Sequence, residues 1–247
     1  MNLSKPARKR ADLLLVERGL FESRARAQAA IEAGLVTAND KQVLKSSDGI
    51  PIDAALQAQS AHPFVSRGGV KLSGALEHYP MPIENHVCLD VGASTGGFTE
   101  VLLAGGASLV FAIDVGHGQL HPSLHGHPNI VSMEQTDIRS LEGKRLPMRP
   151  DVVVIDVSFI SLKAVLPVAL SLAAAPMHLL ALIKPQFEAP RQHSKRGIIR
   201  NAMVHQQVCD DIAAFAASLG CPDIQVFPSS IKGGDGNIEF FLGARRG

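Results

Sequence analysis

Four charged residues stand at the ends of apolar runs: Lys71 ahead of Val87–Val91, Asp156 closing Val152–Val157, Lys184 directly after Leu179–Ile183, and Glu239 within Ile238–Leu242. A charge at such a place is costly unless paired, and ligands of open α/β sheets bind beyond the strand ends. A lysine among other cations in a half-buried site can give up its proton near neutral pH and act on a weakly acidic hydroxyl. Taken singly, each residue reads as well as an ordinary ion-pair partner; together they form a candidate catalytic set.

A second signal is Leu89-Asp90-Val91-Gly92-Ala93-Ser94-Thr95-Gly96-Gly97-Phe98, a glycine-rich turn that leaves a strand and opens a helix. Backbone amides there can approach a ligand closely. Gly97 is followed by Phe98 rather than Lys-Ser/Thr, which excludes a nucleoside-triphosphate loop, and Ser94 stands where a dinucleotide fingerprint needs its second glycine. Asp90 would repel a pyrophosphate but suits a cationic amino-acid moiety, so the turn points to S-adenosylmethionine. The alternative is a tight strand–helix turn with no ligand. Asp114 ends the next strand, twenty-two residues beyond Gly92, where an acid grips a ribose through its hydroxyls. Asp137 is placed to meet an adenine amine. Either acid alone could instead cap a helix, and for Asp137 that alternative is equally good.

The elements that must position these groups follow from the pattern. From His86 onward, strands alternate with helices: strands at Val87–Val91, Leu109–Asp114, Ile130–Glu134, Val152–Val157, Leu179–Ile183, Ile224–Phe227 and Ile238–Leu242, and helices at Phe98–Leu103, Leu162–Leu172 and Asn201–Leu219. Such alternation predicts an α/β, doubly wound sheet. The β-branched run Val152–Val157 is what a strand buried on both faces requires. Ahead of it, Ala11–Arg18 and Arg24–Ala33 read as short helices with Ser23 as N-cap and Gly19 and Gly34 as C-caps, followed by strands at Leu35–Ala38, Gln42–Leu44 and Ile50–Ile52. A polar linker is expected at 57–63, dividing the chain into 1–60 and 61–247.

Length and composition agree with one core plus an appendage: 247 residues, 46% hydrophobic, 19% charged, net charge +1. With no Trp and one Tyr, a protein built on stacking platforms is disfavoured. Residues 1–49 carry nine Lys/Arg against six acids, so the basic end is the one to meet nucleic acid. Cys88, Cys209 and Cys221 form no C-x-x-C pair and sit in apolar surroundings, which fits a reducing, cytoplasmic setting. Nothing near the start reads as a secretory signal. Ala164–Ile183 is uncharged and long enough to span a membrane, but Pro167, Ser171, Pro176 and His178 interrupt it, so a helix, a turn and a buried strand are expected.

The pieces Ser66-Arg67-Gly68-Gly69-Val70-Lys71-Leu72, Asp90 through Thr99, Asp156-Val157-Ser158-Phe159-Ile160-Ser161, Lys184-Pro185-Gln186-Phe187-Glu188 and Gly236-Asn237-Ile238-Glu239 resemble the TlyA, or hemolysin A, family over nearly the whole chain. The resemblance implies a Rossmann-like class I methyltransferase of the FtsJ type, with a seven-stranded sheet whose last strand is antiparallel. It also implies a small α+β S4-like RNA-binding domain at the N-terminus, from Arg10 through Val36 to Asp53. The implied activity is S-adenosylmethionine-dependent 2′-O-methylation of cytidine in ribosomal RNA, free or in a subunit. The family's Lys-Asp-Lys-Glu set falls on Lys71, Asp156, Lys184 and Glu239. The implied donor site comprises Asp90, Gly92, Ser94, Thr95, Gly96, Gly97, Phe98, Asp114, Val115, Asp137 and Ile138. RNA is implied at Arg10, Arg24, Arg26, Lys41, Arg67, Phe159, Arg191 and Arg196, with no membrane and no protein partner.

The chain departs from relatives at Gly116-His117-Gly118-Gln119-Leu120, where a tyrosine is common in place of His117, and at His125 and Asp137. Relatives acting on both ribosomal subunits tend to carry an extra C-terminal helix, so the end at Gly247 leans toward action on the large subunit. No metal is expected: Pro122 and Gly126 break any common face for His117, His121, His125 and His127. Arg191, Lys195, Arg196 and Arg200 are either a solvated loop or an RNA-contacting flap, and Phe159 and Phe187 either stack a flipped base or pack. Two other classes stay open: a membrane-active hemolysin, and an inactive RNA-binding assembly factor.

Overall fold

The computed structural model describes residues 7–141, 146–194, 196–233 and 235–247. The chain forms two compact units, Met1–Pro63 and Phe64–Gly247.

In the first unit, α1 (Ala11–Glu17) and α2 (Arg24–Glu32) pack on small antiparallel sheets. Ser23 Oγ accepts the Arg26 amide and so caps α2. Strand β1 (Arg8–Arg10) pairs with β4 (Gly49–Pro51), and β2 (Val36–Ala38) lies between β3 (Lys41–Gln42) and β5 (Leu56–Ala58). Leu14, Leu15, Ala27, Ile31, Val36 and Ile50 make a core of their own. Asp12 is fully buried inside it and accepts hydrogen bonds from Arg10, Arg24 and Gln28. Two segments differ from expectation. The charged run Arg8–Arg10 is a strand, held by backbone pairing that charge patterning does not reveal. The expected linker begins with an edge strand: Leu56 and Ala58 turn onto the core while Gln57 faces out.

The second unit is built on a seven-stranded sheet. After α3 (Arg67–His78) come β6 (Val87–Val91), α4 (Gly97–Ala104), β7 (Leu109–Ile113), β8 (Ile130–Met133), β9 (Val152–Ile155) and α5 (Leu162–Leu172). Then follow β10 (Met177–Ile183), α6 (Pro185–Glu188), α7 (Ala202–Ser218), β11 (Gln225–Pro228) and β12 (Phe240–Arg246). The order is β11-β12-β10-β9-β6-β7-β8, parallel through its centre, with β12 antiparallel to both neighbours. Alternation along the central strands feeds both faces, as a doubly wound sheet requires. Leu89, Val153 and Ile155 pack under α5 and α7, and Cys88, Val152 and Val154 under α3 and α4.

The uncharged stretch 164–183 is divided as expected: α5 ends at Leu172, a turn through a cis Ala175–Pro176 bond follows, and β10 is buried. No helix among the described residues is long and apolar enough to cross a membrane. Two elements differ. Lys71 lies on α3, a helix disguised by Gly68 and Gly69, started by Ser66 Oγ accepting the Gly68 amide and held by Leu72 and Ala75. Glu239 precedes β12 rather than lying in it, and the strand runs on through Gly243, where any Cβ would sit 2.9 Å from the Tyr79 ring.

Candidate active site

Beyond the C-terminal ends of β6, β7 and β9 lies a cavity of about 530 Å³, lined by Gly92, Ser94, Asp114, Val115, Gln119, Asp137, Ile138, Asp156 and Phe159 among others. Its size suits a small-molecule ligand. Gly92 has φ +86°, and a Cβ there would lie 2.3 Å from the Asp156 carbonyl oxygen. Glycine is therefore required for the first turn to close against β9. Asp114 accepts the Ser94 amide at 2.8 Å and the Gly116 amide at 2.7 Å, which fixes its carboxylate at the cavity wall. An acid at the second parallel strand's end, beside a glycine cradle that a Cβ would fill, fits the ribose of an adenosine-bearing donor.

Asp137 takes the capping alternative while still lining the cavity: it accepts the Arg139 amide at 2.9 Å and pairs with the Arg139 guanidinium at 2.6 Å. That guanidinium, and next the amide, hold its carboxyl below the usual range. Other expected donor residues stand off this cavity. Thr95 is exposed, and Gly96 and Phe98 are buried. Gly97 serves packing between helices, since a Cβ there would lie 2.2 Å from Ser66 Oγ and 2.7 Å from the Gly69 nitrogen.

Asp90 is fully buried, faces α4 and accepts the Thr99 hydroxyl at 2.7 Å; its Oδ1 has no hydrogen-bond partner. Burial pushes its carboxyl up to about 7. An acid with a raised folded-state pKa contributes stability that is fully present below its unfolded value, near 4, and is lost as pH rises through 7. Asp90→Asn is therefore expected to flatten the fall in unfolding free energy between pH 5 and 8, by an amount on the order of 1–3 kcal/mol, and with it the fall in melting temperature. Parallel melting curves of the two proteins across that range would refute the assignment.

The four-residue set divides into two ion pairs. Lys184 Nζ lies 2.6 Å from Asp156 Oδ1 and donates to Ser158 Oγ at 2.9 Å. Lys71 Nζ lies 2.6 Å from Glu239 Oε2, and Gln186 Nε2 donates to Glu239 Oε1 at 3.4 Å. Lys71, Lys184 and Glu239 are each more than nine-tenths buried. The partners of Glu239 are Lys71 and Gln186. Lys184 begins the short helix α6, whose Glu188 accepts the Ser161 hydroxyl and the Leu162 amide at the start of α5, locking that turn to the sheet.

Phe159 is 91% exposed at φ +65°, an unusual conformation for a bulky residue, with its ring centroid 4.9 Å from that of Phe187. Arg67 donates to the Lys232 carbonyl at 2.5 Å, and Arg196 is exposed. The Arg191 side chain and Lys195 lie outside the described residues. Arg10 and Arg24 pair with Asp12, and Arg26 with Glu22, while Lys41 borders a separate hollow with Arg8 and Asp48. Among the described residues no three His, Cys, Asp or Glu side chains converge as a metal site would need. Ser158, Gln186 and Arg139 are residues of the site that sequence reasoning did not single out, as is Glu134, which holds a loop beside it. Ser158 and Gln186 lie inside the motifs around Asp156 and Lys184, and Glu134 closes an apolar run as Asp114 does.

A parallel Rossmann-like sheet with one reversed strand, and at its strand ends a cavity walled by Asp114 beside the Lys184–Asp156 pair, fit a methyltransferase. The FtsJ-like methyltransferase family model matches residues 64–246. A 16S/23S rRNA (cytidine-2′-O)-methyltransferase TlyA from Mycobacterium tuberculosis is 40% identical over 241 residues, covering 96% of this chain and 90% of that protein. A 23S rRNA (cytidine-2′-O)-methyltransferase TlyA from Campylobacter jejuni is 34% identical over 197 residues, covering 79% and 74%. Among solved structures, one from Streptococcus thermophilus described as a hemolysin superposes with TM-score 0.78 at 38% identity, covering 98% and 90%. The chain belongs to the TlyA, or hemolysin A, branch of the FtsJ-like methyltransferases.

Proposed function

We propose that this protein transfers a methyl group from S-adenosylmethionine to the ribose 2′-hydroxyl of cytidine in ribosomal RNA, working in the cytoplasm. The observation that carries the reading is Asp156, which lines the donor cavity and at the same time holds Lys184. Donor and acceptor machinery thus meet at one residue. Gly92, Asp114, Val115, Asp137 and Ile138 hold the adenosine part of the donor. S-adenosylmethionine, when bound, supplies an electrophilic methyl group. Lys184 takes the proton of the 2′-hydroxyl, and Asp156 and Ser158 keep its nitrogen in place. Most of the rate comes from holding the two reactants in line. Phe159, strained and exposed beside this site, offers a ring on which a displaced base stacks.

The first unit is read as an S4-like RNA anchor. Its basic side chains Arg10, Arg24, Arg26 and Lys41 remain at its surface, and phosphate contacts of this kind make binding steeply salt-dependent. On the second unit, Arg67, Arg191 and Arg196 would contact RNA. Large-subunit RNA is the proposed substrate because it is common to both named relatives.

Labelled methyl transfer to isolated ribosomal subunits, followed by nucleoside analysis, tests the reading. The expected product is 2′-O-methylcytidine from the large subunit; label on a base would overturn the ribose assignment. Removing residues 1–63 is expected to leave donor binding within about threefold of the full chain and to cut transfer to subunits at least about 100-fold at physiological salt. Undiminished transfer by the shortened chain would show that the first unit is not the anchor.

A further inference from the structure

Between β7 and the cavity's far wall the chain passes through Gly116, His117 and Gly118, a segment with little intrinsic preference for one conformation. It nevertheless has to place Asp114, Val115 and Gln119 on the cavity wall. Three successive backbone amides of this loop converge on one carboxylate just past β8. Glu134 Oε2 accepts the Gly118 amide at 2.6 Å, and Oε1 accepts Gln119 at 2.8 Å and Leu120 at 3.1 Å. His117 Nδ1 lies 3.7 Å from Oε2. The loop returns to the same strand end through two backbone bonds, Gln135 to the Gly116 carbonyl and Thr136 to the Asp114 carbonyl. Successive amides pointing inward form a nest that an anion can occupy. Here the protein supplies the anion itself, from a side chain that neither lines the donor cavity nor belongs to the Lys184–Asp156 pair.

We propose that Glu134 is the positioning residue of the donor pocket: it sets the Gly116–Leu120 loop, and through Val115 and Gln119 it sets affinity for the adenosine part of the donor without contacting it. This rests on the assignment of the cavity to S-adenosylmethionine. The amides donate to the charged form and hold the Glu134 carboxyl below its ordinary range, so the loop is held throughout the neutral range. Glu134→Ala removes both acceptor oxygens and with them all three hydrogen bonds. Glu134→Gln keeps the shape and one acceptor oxygen but turns an N–H₂ toward the remaining donor, so it is expected to fall in between.

The test is calorimetry of the full chain with S-adenosylhomocysteine, together with hydrogen exchange of the 118–120 amides. For Glu134→Ala, we expect binding weakened roughly 10- to 30-fold, the size of a lost set of charge-assisted hydrogen bonds. Protection should fall at 118–120 but not in β6 or β9. In transfer assays the donor KM should rise while kcat at saturating donor stays within about twofold, because Lys184 and Asp156 lie on other strands; a general loss of folding would move both. Affinity within twofold of native despite lost protection would overturn the proposal, as would amides that stay protected in Glu134→Ala. Failure of the unsubstituted chain to bind S-adenosylhomocysteine would overturn the donor assignment and this proposal with it, and that failure shows in the native protein, before any substitution.

Discussion

Lys184→Arg is expected to abolish methyl transfer while leaving the fold and the donor site intact. A general base of this kind contributes about 10²–10⁴-fold, so single-turnover transfer to purified large subunits should fall by about that factor. Arginine keeps the positive charge that pairs with Asp156, but a guanidinium does not release its proton in a protein. Lys184→Ala should be equally inactive. Both should bind S-adenosylhomocysteine within about threefold of native, because Lys184 touches the cavity wall only from behind, through Asp156 and Ser158, and does not itself line the donor cavity. If Lys184 serves only as the ion-pair partner of Asp156, the arginine variant preserves that pair and retains much of the activity. Appreciable methylation by Lys184→Arg would therefore remove Lys184 from the role of base and leave positioning as the whole mechanism. Asp156→Ala should affect both readouts, since Asp156 touches the cavity and the lysine alike.

The divided outcome at these residues shows what a linear sequence carries. Val152–Ile155 and Val87–Val91 are legible because a strand buried on both faces has to be a short apolar run. Asp114 is legible as an acid that closes such a run, and it stands on the cavity wall. The facing of Asp90 is not: the sequence places it on β6 but does not say whether its side chain looks into the cavity or toward α4, and it looks toward Thr99. Gly97 is in the same position, since a glycine needed for helix packing and one needed for a ligand are the same letter. Short edge strands such as Arg8–Arg10 and Leu56–Ala58 are fixed by backbone pairing, which leaves little mark on side-chain type. The charged set has a further ambiguity. Two lysines and two acids can pair in two ways, and only the topology, with Lys71 on α3 and Glu239 just ahead of β12, selects one.

That selection leads to a prediction about stability. Lys71 and Glu239 form a buried pair at 2.6 Å, in surroundings tight enough that a Cβ on Gly233 would lie 2.5 Å from Glu239 Oε1. Removing one partner leaves the other charge buried and alone, which costs about 3–5 kcal/mol. Glu239→Ala and Lys71→Ala should each lower the unfolding free energy of the second unit by that amount, and the denaturant midpoint with it. Replacing both by apolar residues of similar volume, Lys71→Met with Glu239→Leu, removes the stranded charge, and such replacements are often neutral or stabilising. The double variant should therefore unfold close to native while each single variant unfolds early. If Glu239 instead acted through Lys184, the Lys71 substitution would be mild, the Glu239 substitution would cost activity rather than stability, and the double variant would show no recovery. Equilibrium unfolding of the four proteins, followed by far-ultraviolet circular dichroism, separates these cases. Recovery in the double variant together with lost methyl transfer would show that the pair is kept for the acceptor's sake and not for the fold. Equal midpoints for the single and double variants would show that the pair is not buried in solution.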